Sequence, residues 1–462
     1  MWRFREFFLS VLLTGLVHEV ARGAEKRAGW IEVRLEGTPA EMGRKHGSEL
    51  RAEIEDGLRA IRTIIEHDTE KDWEFYRKAG REILWPKVEA QYREELDGIV
   101  AGLQAKGSKL DRWDIVALNG WMELAWYYVP VYNKRQGQPT PPSVTAPEHC
   151  SAFIATGSFT KNGGIVAAHN AWVDFAIGQR WNIIFDIRPA QGKRMLMDGY
   201  PGLIHSGDDF GINSAGILIS ETTISAFQGF DGNGIPAFVR ARKALQYGTS
   251  IDEVAAIFQE GNNGGYANAW LIGDNKTKEI ARLELGLKNV TLERTRNGYF
   301  SGANFPVSAK LIAEETVGWD AADKSTSPTA RRERWDQLIQ ANKGRLDLKL
   351  AQRFLGDEMD SYTGKPGANE RTICGRIDLS PRGSGGWQPP HGPCGAVQNK
   401  VADSAHIQRM ALRGAMGPQC GKDFKVKEFL AKHPEFRYQE GVLRDLPRGS
   451  WTEFTAVFMA TK

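Results

Sequence analysis

What the chain has little of narrows its chemistry first. Only four of 462 residues are cysteine, and neither a C-x-x-C pair nor a histidine-rich spacing occurs, so motif spacing points to no metal site and no cofactor. A G-x-S-x-G elbow, an H-E-x-x-H helix and a Walker A loop are all missing, which removes the serine-elbow, zinc-helix and phosphate-loop chemistries. The run Gly232-Asn233-Gly234-Ile235-Pro236-Ala237 imitates a dinucleotide fingerprint, but its proline argues for a loop entering a helix that bears Arg240 and Arg242. Charge is nearly balanced at +3, too little on a chain this long to hold a nucleic acid by counterion release. Past the N-terminus no apolar run approaches the ~18 residues of a membrane-spanning helix, so no transmembrane segment is expected.

What is present is the composition of a globular protein, with 41% hydrophobic and 25% charged residues, long enough to bury a large core. Fourteen tryptophans and twenty-one phenylalanines could line a pocket, and core packing uses such residues as readily. At the N-terminus Arg3 and Arg5 precede a mainly apolar stretch, residues 7–17, and then Ala21-Arg22-Gly23-Ala24, which resembles a secretory cleavage site. Residues 1–23 therefore read as an export signal, with a buried N-terminal helix as the alternative. The mature protein is then secreted or periplasmic, or lysosomal in a eukaryote, where disulfides are permitted. One pair among Cys374, Cys394 and Cys420 can bridge, whereas Cys150 stands alone in the chain, and an unpaired thiol in an oxidising compartment is a candidate reactive group.

Hydrophobic periodicity predicts a strand over 30–35, followed by a helix whose start is marked by the capping box Thr38/Glu41 with Pro39 at the first helical position. Helical spacing among many charges continues to about residue 107, and residues 133–147, rich in Pro, Gln, Thr and Gly, read as an exposed linker. The texture changes at Cys150. Residues 151–157 and 165–169 read as two strands joined by the turn signal Lys161-Asn162-Gly163-Gly164, a hairpin that begins with the cysteine. More strands are expected over 181–187, 194–197, 216–222, 269–272 and 279–285, with helices over 237–246, 251–259 and 330–342, and Ser250/Glu253 as a capping box. Two blocks of strands with helices between and after them imply a layered α/β or α+β arrangement, which periodicity alone does not decide between.

A cysteine where an exposed linker meets a strand is placed to become a chain terminus, because a cut there leaves the strand held in its sheet. The new α-amine, titrating near pH ~8 beside a thiol near ~8.5, could take the thiol proton and serve as the local base. On the bare pattern His149-Cys150-Ser151, an ordinary buried cysteine explains the residues as well.

Six motifs in order add to this pattern. Glu148-His149-Cys150-Ser151-Ala152 with Ala168-His169-Asn170-Ala171-Trp172 resembles the nucleophile hairpin of the phospholipase B-like family. Gly199-Tyr200-Pro201-Gly202, Ser206-Gly207-Asp208-Asp209-Phe210, Glu221-Thr222-Thr223 and Gly265-Tyr266-Ala267-Asn268-Ala269-Trp270 resemble further motifs of that family. Gly43 and His46-Gly47 look like part of the N-terminal signature of a related cysteine acyltransferase and amidase group. Near the C-terminus, Gln398 and Asn399 stand where acidic residues are expected.

The resemblance implies an α+β chain folded as a four-layer αββα N-terminal-nucleophile sandwich, with cleavage between His149 and Cys150. Residues 24–149 then form a small helical chain and 150–462 a catalytic large chain, and the two stay associated. It further implies that Cys150 is the nucleophile, that Asn268 donates to the oxyanion, that His169 and Asn170 orient the reacting groups, and that Thr222 or Thr223 hydrogen-bonds near the nucleophile. Trp172, Trp270, Tyr266, Asp208 and Asp209 are expected to border the substrate, although packing or turn capping would account for each of them. The expected activity is hydrolysis of a small acylated substrate, a phospholipid or an N-acyl amine, through a thioester on Cys150. The alternatives are acyl transfer to an amine, or a silent binding protein on the same fold.

Overall fold

In the computed structural model, the described residues are 24–141, 150–207, 210–385 and 387–456. The expected signal at 1–23, the cleavage residue His149 and the acids Asp208 and Asp209 lie outside them. No described helix is long and apolar enough to cross a membrane.

The chain is mixed α/β and is built on two large open sheets. The nine-stranded sheet gathers Glu25–Arg27, Trp30–Gly37, Ile183–Pro189, Met195–Gly199, Gly211–Asn213, Ile217–Thr223, Asn268–Asp274, Glu279–Leu285 and Val290–Thr295, in that spatial order. The six-stranded sheet runs Gly298–Gly302, Ser151–Gly157, Gly163–Asp174, Cys394–Asp403, Ala411–Met416 and Thr452–Thr455. Pairing is antiparallel apart from Trp30–Gly37 beside Ile183–Pro189, which ties the N-terminal region to strands far along the chain.

Side-chain alternation explains how the sheets are covered. On Gly163–Asp174, Ile165 and Ala167 join Leu218, Leu271 and Ile280 of the other sheet in one buried cluster. Val166 and Ala168, pointing the opposite way, pack instead with Trp335, Ile339 and Phe354 of two later helices. On Ile217–Thr223, Ile217 and Ile219 turn from the inter-sheet cluster toward the N-terminal helices, where they meet Ile54, Ile61 and Leu96.

The N-terminal helices are locked by size. Helix Pro39–Glu49 carries Gly43 and Gly47, and helix Ala90–Ala105 carries Gly98 and Gly102, each pair four residues apart on one helix face. A side-chain carbon on Gly47 would sit 2.0 Å from Ile99 O, and one on Gly102 would sit 2.1 Å from Arg44 O, so only glycine admits this crossing. His46, between the first pair, accepts the Gly202 N–H on Nε2 at 3.0 Å, while Tyr200 OH donates to Gly57 O at 2.8 Å. The His46-Gly47 and Tyr200-Pro201-Gly202 motifs therefore serve packing between the helices and the sheet. Burial first, and then the Arg242 charge, hold His46 down at about 3, so it stays a neutral acceptor.

Most expected elements are present, including the Thr38/Glu41 capping box, Ser151–Gly157 and Ile251–Gln259. Two details differ. Residues 133–135 of the expected linker continue the helix Val129–Arg135, because Pro130 falls in its first turn, where a missing N–H costs nothing. The Ser250/Glu253 box is only half formed: Ser250 caps Glu253 N, but the Glu253 carboxylate reaches Thr249 N and Oγ1 instead of Ser250.

Asp174 ends its strand fully buried, with Oδ1 accepting from Gln388 Nε2 at 3.3 Å. Burial first, and then the Asp68 charge, push its carboxyl from the ordinary 3.8 up to about 8. A raised acid contributes stability that is complete below the unfolded value and is lost as pH rises through the folded one. Asp174→Asn is therefore expected to raise the Tm over wild type at about pH 9 and to converge with it near pH 4. Thermal unfolding at both pH values checks this, and a gap that stays constant contradicts it.

Candidate active site

Cys150 sits at the mouth of the hairpin, buried, with a left-handed φ of +82° that turns the chain into Ser151–Gly157. That strand is held on both edges, with Ala152 facing His169 on one side and Gly302 on the other. Asn170, opposite Ser151, accepts the Ser151 N–H at 3.0 Å and Trp172 Nε1–H at 3.1 Å, and donates to Ile373 O at 2.8 Å. The disulfide that forms is Cys374–Cys420, so it anchors the loop on which Ile373 lies; Cys394 is free and buried.

Three strands converge on the thiol. The Cys150 Sγ–H donates weakly to Glu221 Oε1 at 3.9 Å, and the same oxygen accepts from Tyr266 OH at 2.8 Å. A ring nitrogen of His169 completes a thiol, imidazole and carboxylate group within 4.8 Å of one another. This is a donor set that could hold a soft divalent ion if the thiol were ionised. Motif spacing did not disclose it, because Cys150 precedes one strand while His169 and Glu221 lie on two others. Burial first, and then Lys400, hold His169 well below the ordinary histidine range, so its ring is neutral.

The backbone of Cys150 is gripped from the opposite side. Arg331, wholly buried in helix Ser327–Ala341, donates through Nη1 to Cys150 O at 2.6 Å and Ser151 Oγ at 3.0 Å. Its Nε donates to Ser327 Oγ at 3.1 Å and its Nη2 to Asn304 Oδ1 at 2.9 Å, while the guanidinium stacks 4.1 Å over Trp172. Asn304 Nδ2 in turn donates to Thr223 O and Oγ1 at 3.0 and 2.7 Å. Strand register sets Thr223 opposite Asn268 and Thr222 opposite Ala269. Asn268 is buried, and neither Nδ2 nor Oδ1 has a hydrogen-bond partner among the described residues, so its amide is an uncommitted donor. Thr222 Oγ1 is likewise uncommitted and lies against Gly302, where a side-chain carbon would approach it to 2.5 Å.

Trp270 stacks on Phe258 with ring centroids 3.8 Å apart, on the helix side of its sheet. A cavity of about 870 Å³ draws its aromatic wall from Trp126, Tyr127, Phe227, Trp319 and Trp387, none of which the motifs singled out. It is linked to the surroundings of Cys150 through Ser225, whose N–H donates to Asn304 O, and through Trp387, which clusters with Trp172. Thr140 and Pro141, on the N-terminal side of Cys150, also line it.

Behind His169 the sheets are bolted by a buried ion pair, Lys400 Nζ to Asp198 Oδ2 at 2.9 Å. Gln398 Nε2 donates to the same oxygen at 2.7 Å and Ser206 Oγ–H to Asp198 Oδ1 at 2.8 Å, while Phe210 N donates to Ser206 Oγ at 3.2 Å. An amide fits at 398 because a second carboxylate there would face Asp198 with one ammonium between two charges. Ser206 and Phe210 thus acquire structural tasks within their motif.

Residues 49–451 match the Phospholipase B family, and the chain belongs to it. Human phospholipase B-like 1 is 28% identical over 299 residues, 58% of this chain and 52% of that protein. Phospholipase B of Crotalus adamanteus is 27% identical over 307 residues, covering 60% and 53% of the two chains. Putative phospholipase B-like 2 of Mus musculus is 26% identical over 350 residues, covering 63% and 56%. The chain therefore spans about half the length of the curated relatives it matches.

Glu221 and Arg331 carried no assigned role in the motifs. Arg331 was legible in principle, since 327, 331, 335 and 339 fall on one helical stripe whose other members are small or apolar. Replacing it by methionine removes the donor to four buried acceptors, each costing about 1–3 kcal/mol when left unpaired and partly relaxed. Arg331→Met should lose at least about 3 kcal/mol in urea unfolding and should quicken alkylation of Cys150; a loss under ~1 kcal/mol would mean the carbonyl is not held this way.

Proposed function

We propose that this chain is an acyl hydrolase of the phospholipase B type in which Cys150, freed by self-cleavage after His149, is the nucleophile. The observation that carries the reading is a carboxylate and a neutral imidazole gathered around one buried thiol at the start of a doubly held strand; the uncommitted Asn268 amide, on the strand paired with that of Glu221, supports it. The alternation of cores on the two sheets supports an αββα sandwich as the frame. An export signal at 1–23 fits the disulfide Cys374–Cys420.

Before the cut no α-amine exists at Cys150, so the nearest proton acceptor is Glu221, held by Tyr266. Glu221 takes the thiol proton, the thiolate attacks the His149 carbonyl carbon, and the C–N bond to Cys150 breaks as the nitrogen gains a proton. Water then hydrolyses the thioester and leaves residues 24–149 as a small chain. Trp30–Gly37, hydrogen-bonded along Ile183–Pro189, keeps that chain attached.

In turnover the α-amine replaces Glu221 as base. Sγ attacks the substrate acyl carbon, the oxyanion forms against Asn268 Nδ2, and the leaving alcohol or amine departs with the proton. Water attacks the thioester and the thiol is restored. His169, neutral by burial, adds no charge beside the thiol. An amine in place of water would give acyl transfer by the same thioester.

Intact-mass analysis of wild type beside Cys150→Ala should show fragments meeting at 149/150 in wild type only; a single uncut chain in both would count against the mechanism. Asn268→Ala should still be cut or alkylated at Cys150, yet lose about 10²–10³-fold in kcat on an acyl ester. An unchanged kcat would remove Asn268 from the oxyanion site.

A further inference from the structure

The aromatic cavity lined by Trp126, Phe227 and Trp319 does not stand by itself. A second space of about 500 Å³ adjoins it and shares Val131, Lys134, Gln228 and Gly229 with it. Lys134, Arg135 and Lys288 bring three exposed cations to this second space, and none of them forms an ion pair among the described residues.

Asp320 and Asp323 line the aromatic cavity, where they accept from Ala322 N and Ser325 N, and the two acids of the second space hold its backbone. Glu315 is buried and spends its two oxygens on the N–H groups of Leu287, Lys288 and Asn289 at 2.6–3.2 Å, and on Asn289 Nδ2. Glu314 accepts from the same Asn289 Nδ2 at 2.9 Å. Both carboxylates thus hold the loop that carries Lys288, and the cations keep their charge for something outside the chain. Lys134 stands where the aromatic wall meets the basic shelf, one helical turn from Val131.

We propose that the two spaces are one groove that binds an anionic amphiphile, with its apolar part against Trp126, Phe227 and Trp319 and a phosphate or carboxylate on Lys134, Arg135 and Lys288. Two ammonium groups and a guanidinium around one concavity match an oxyanion, while the aromatic wall excludes water from the chain behind it. Only the placing of the scissile bond rests on the reading of Cys150 given above. The groove's choice of ligand does not.

Binding is therefore the measurement, taken on the full chain below micelle-forming concentrations by tryptophan fluorescence. Dodecyl phosphate, N-dodecanoylglycine and the neutral 1-dodecanoylglycerol share a chain length and differ in charge. The two anions should bind about tenfold or more tightly than the neutral ligand, and this preference should shrink as salt is raised. Lys134→Glu/Lys288→Glu should erase the preference, and Lys134→Arg/Lys288→Arg should keep it. Phosphate above carboxylate would assign a phosphorylated headgroup, and the reverse order an N-acyl amino acid. Equal affinity for all three, no binding of any, or a preference that survives charge reversal overturns the proposal. Because no turnover is needed, an inactive Cys150 would leave the result intact.

Discussion

The grip of Arg331 on the carbonyl of Cys150 is the constraint on which the site depends. A guanidinium with no access to water must satisfy its donors inside the protein, and here it does so on Cys150 O, Ser151 Oγ, Ser327 Oγ and Asn304 Oδ1. The left-handed turn at Cys150 thereby gains a fixed end. The stacking surface of Trp172 is itself wedged: a side-chain carbon on Gly375 would lie 2.2 Å from the indole, and Gly375 follows the bridged Cys374. A chain of contacts therefore runs from the disulfide through Gly375 and Trp172 to the carbonyl behind the thiol.

A second rigid body backs the other side of the site. Asp198, Lys400, Gln398 and Ser206 form a buried network between the sheets, and Lys400 is one reason His169 remains uncharged. Such a network costs desolvation and is tolerable only when every member is bonded. It leaves the face toward Cys150 with a neutral imidazole and a carboxylate.

Much of the frame was legible because it is written in local terms. The strand at Ser151–Gly157, the capping box at Thr38 and the helix Ile251–Gln259 follow from alternation, a threonine with a glutamate three residues on, and helical spacing. Glu221 lay inside a quoted motif without a task, because its partners, Cys150 and Tyr266, are 71 and 45 residues away. The same distance hid Asp198 and Lys400, separated by 202 residues. Gly43, Gly47, Gly98 and Gly102 looked like part of a catalytic signature or like nothing, and proved to be the clearance between two helices.

By itself the sequence determined that helices and strands are mixed in a layered chain, the hairpin that starts at Cys150, the family resemblance and the lack of serine-elbow, zinc-helix and phosphate-loop motifs. These rest on the order and spacing of neighbours along the chain, which periodicity and motif record directly. Tertiary structure alone decided that Cys374 bridges Cys420, that Glu221 and His169 meet the thiol, that Arg331 holds its carbonyl, and that an aromatic cavity opens onto three cations. Each of these joins residues from strands and helices far apart in sequence. Their separation in space is set by sheet order and by the fit of buried side chains, which no local pattern encodes.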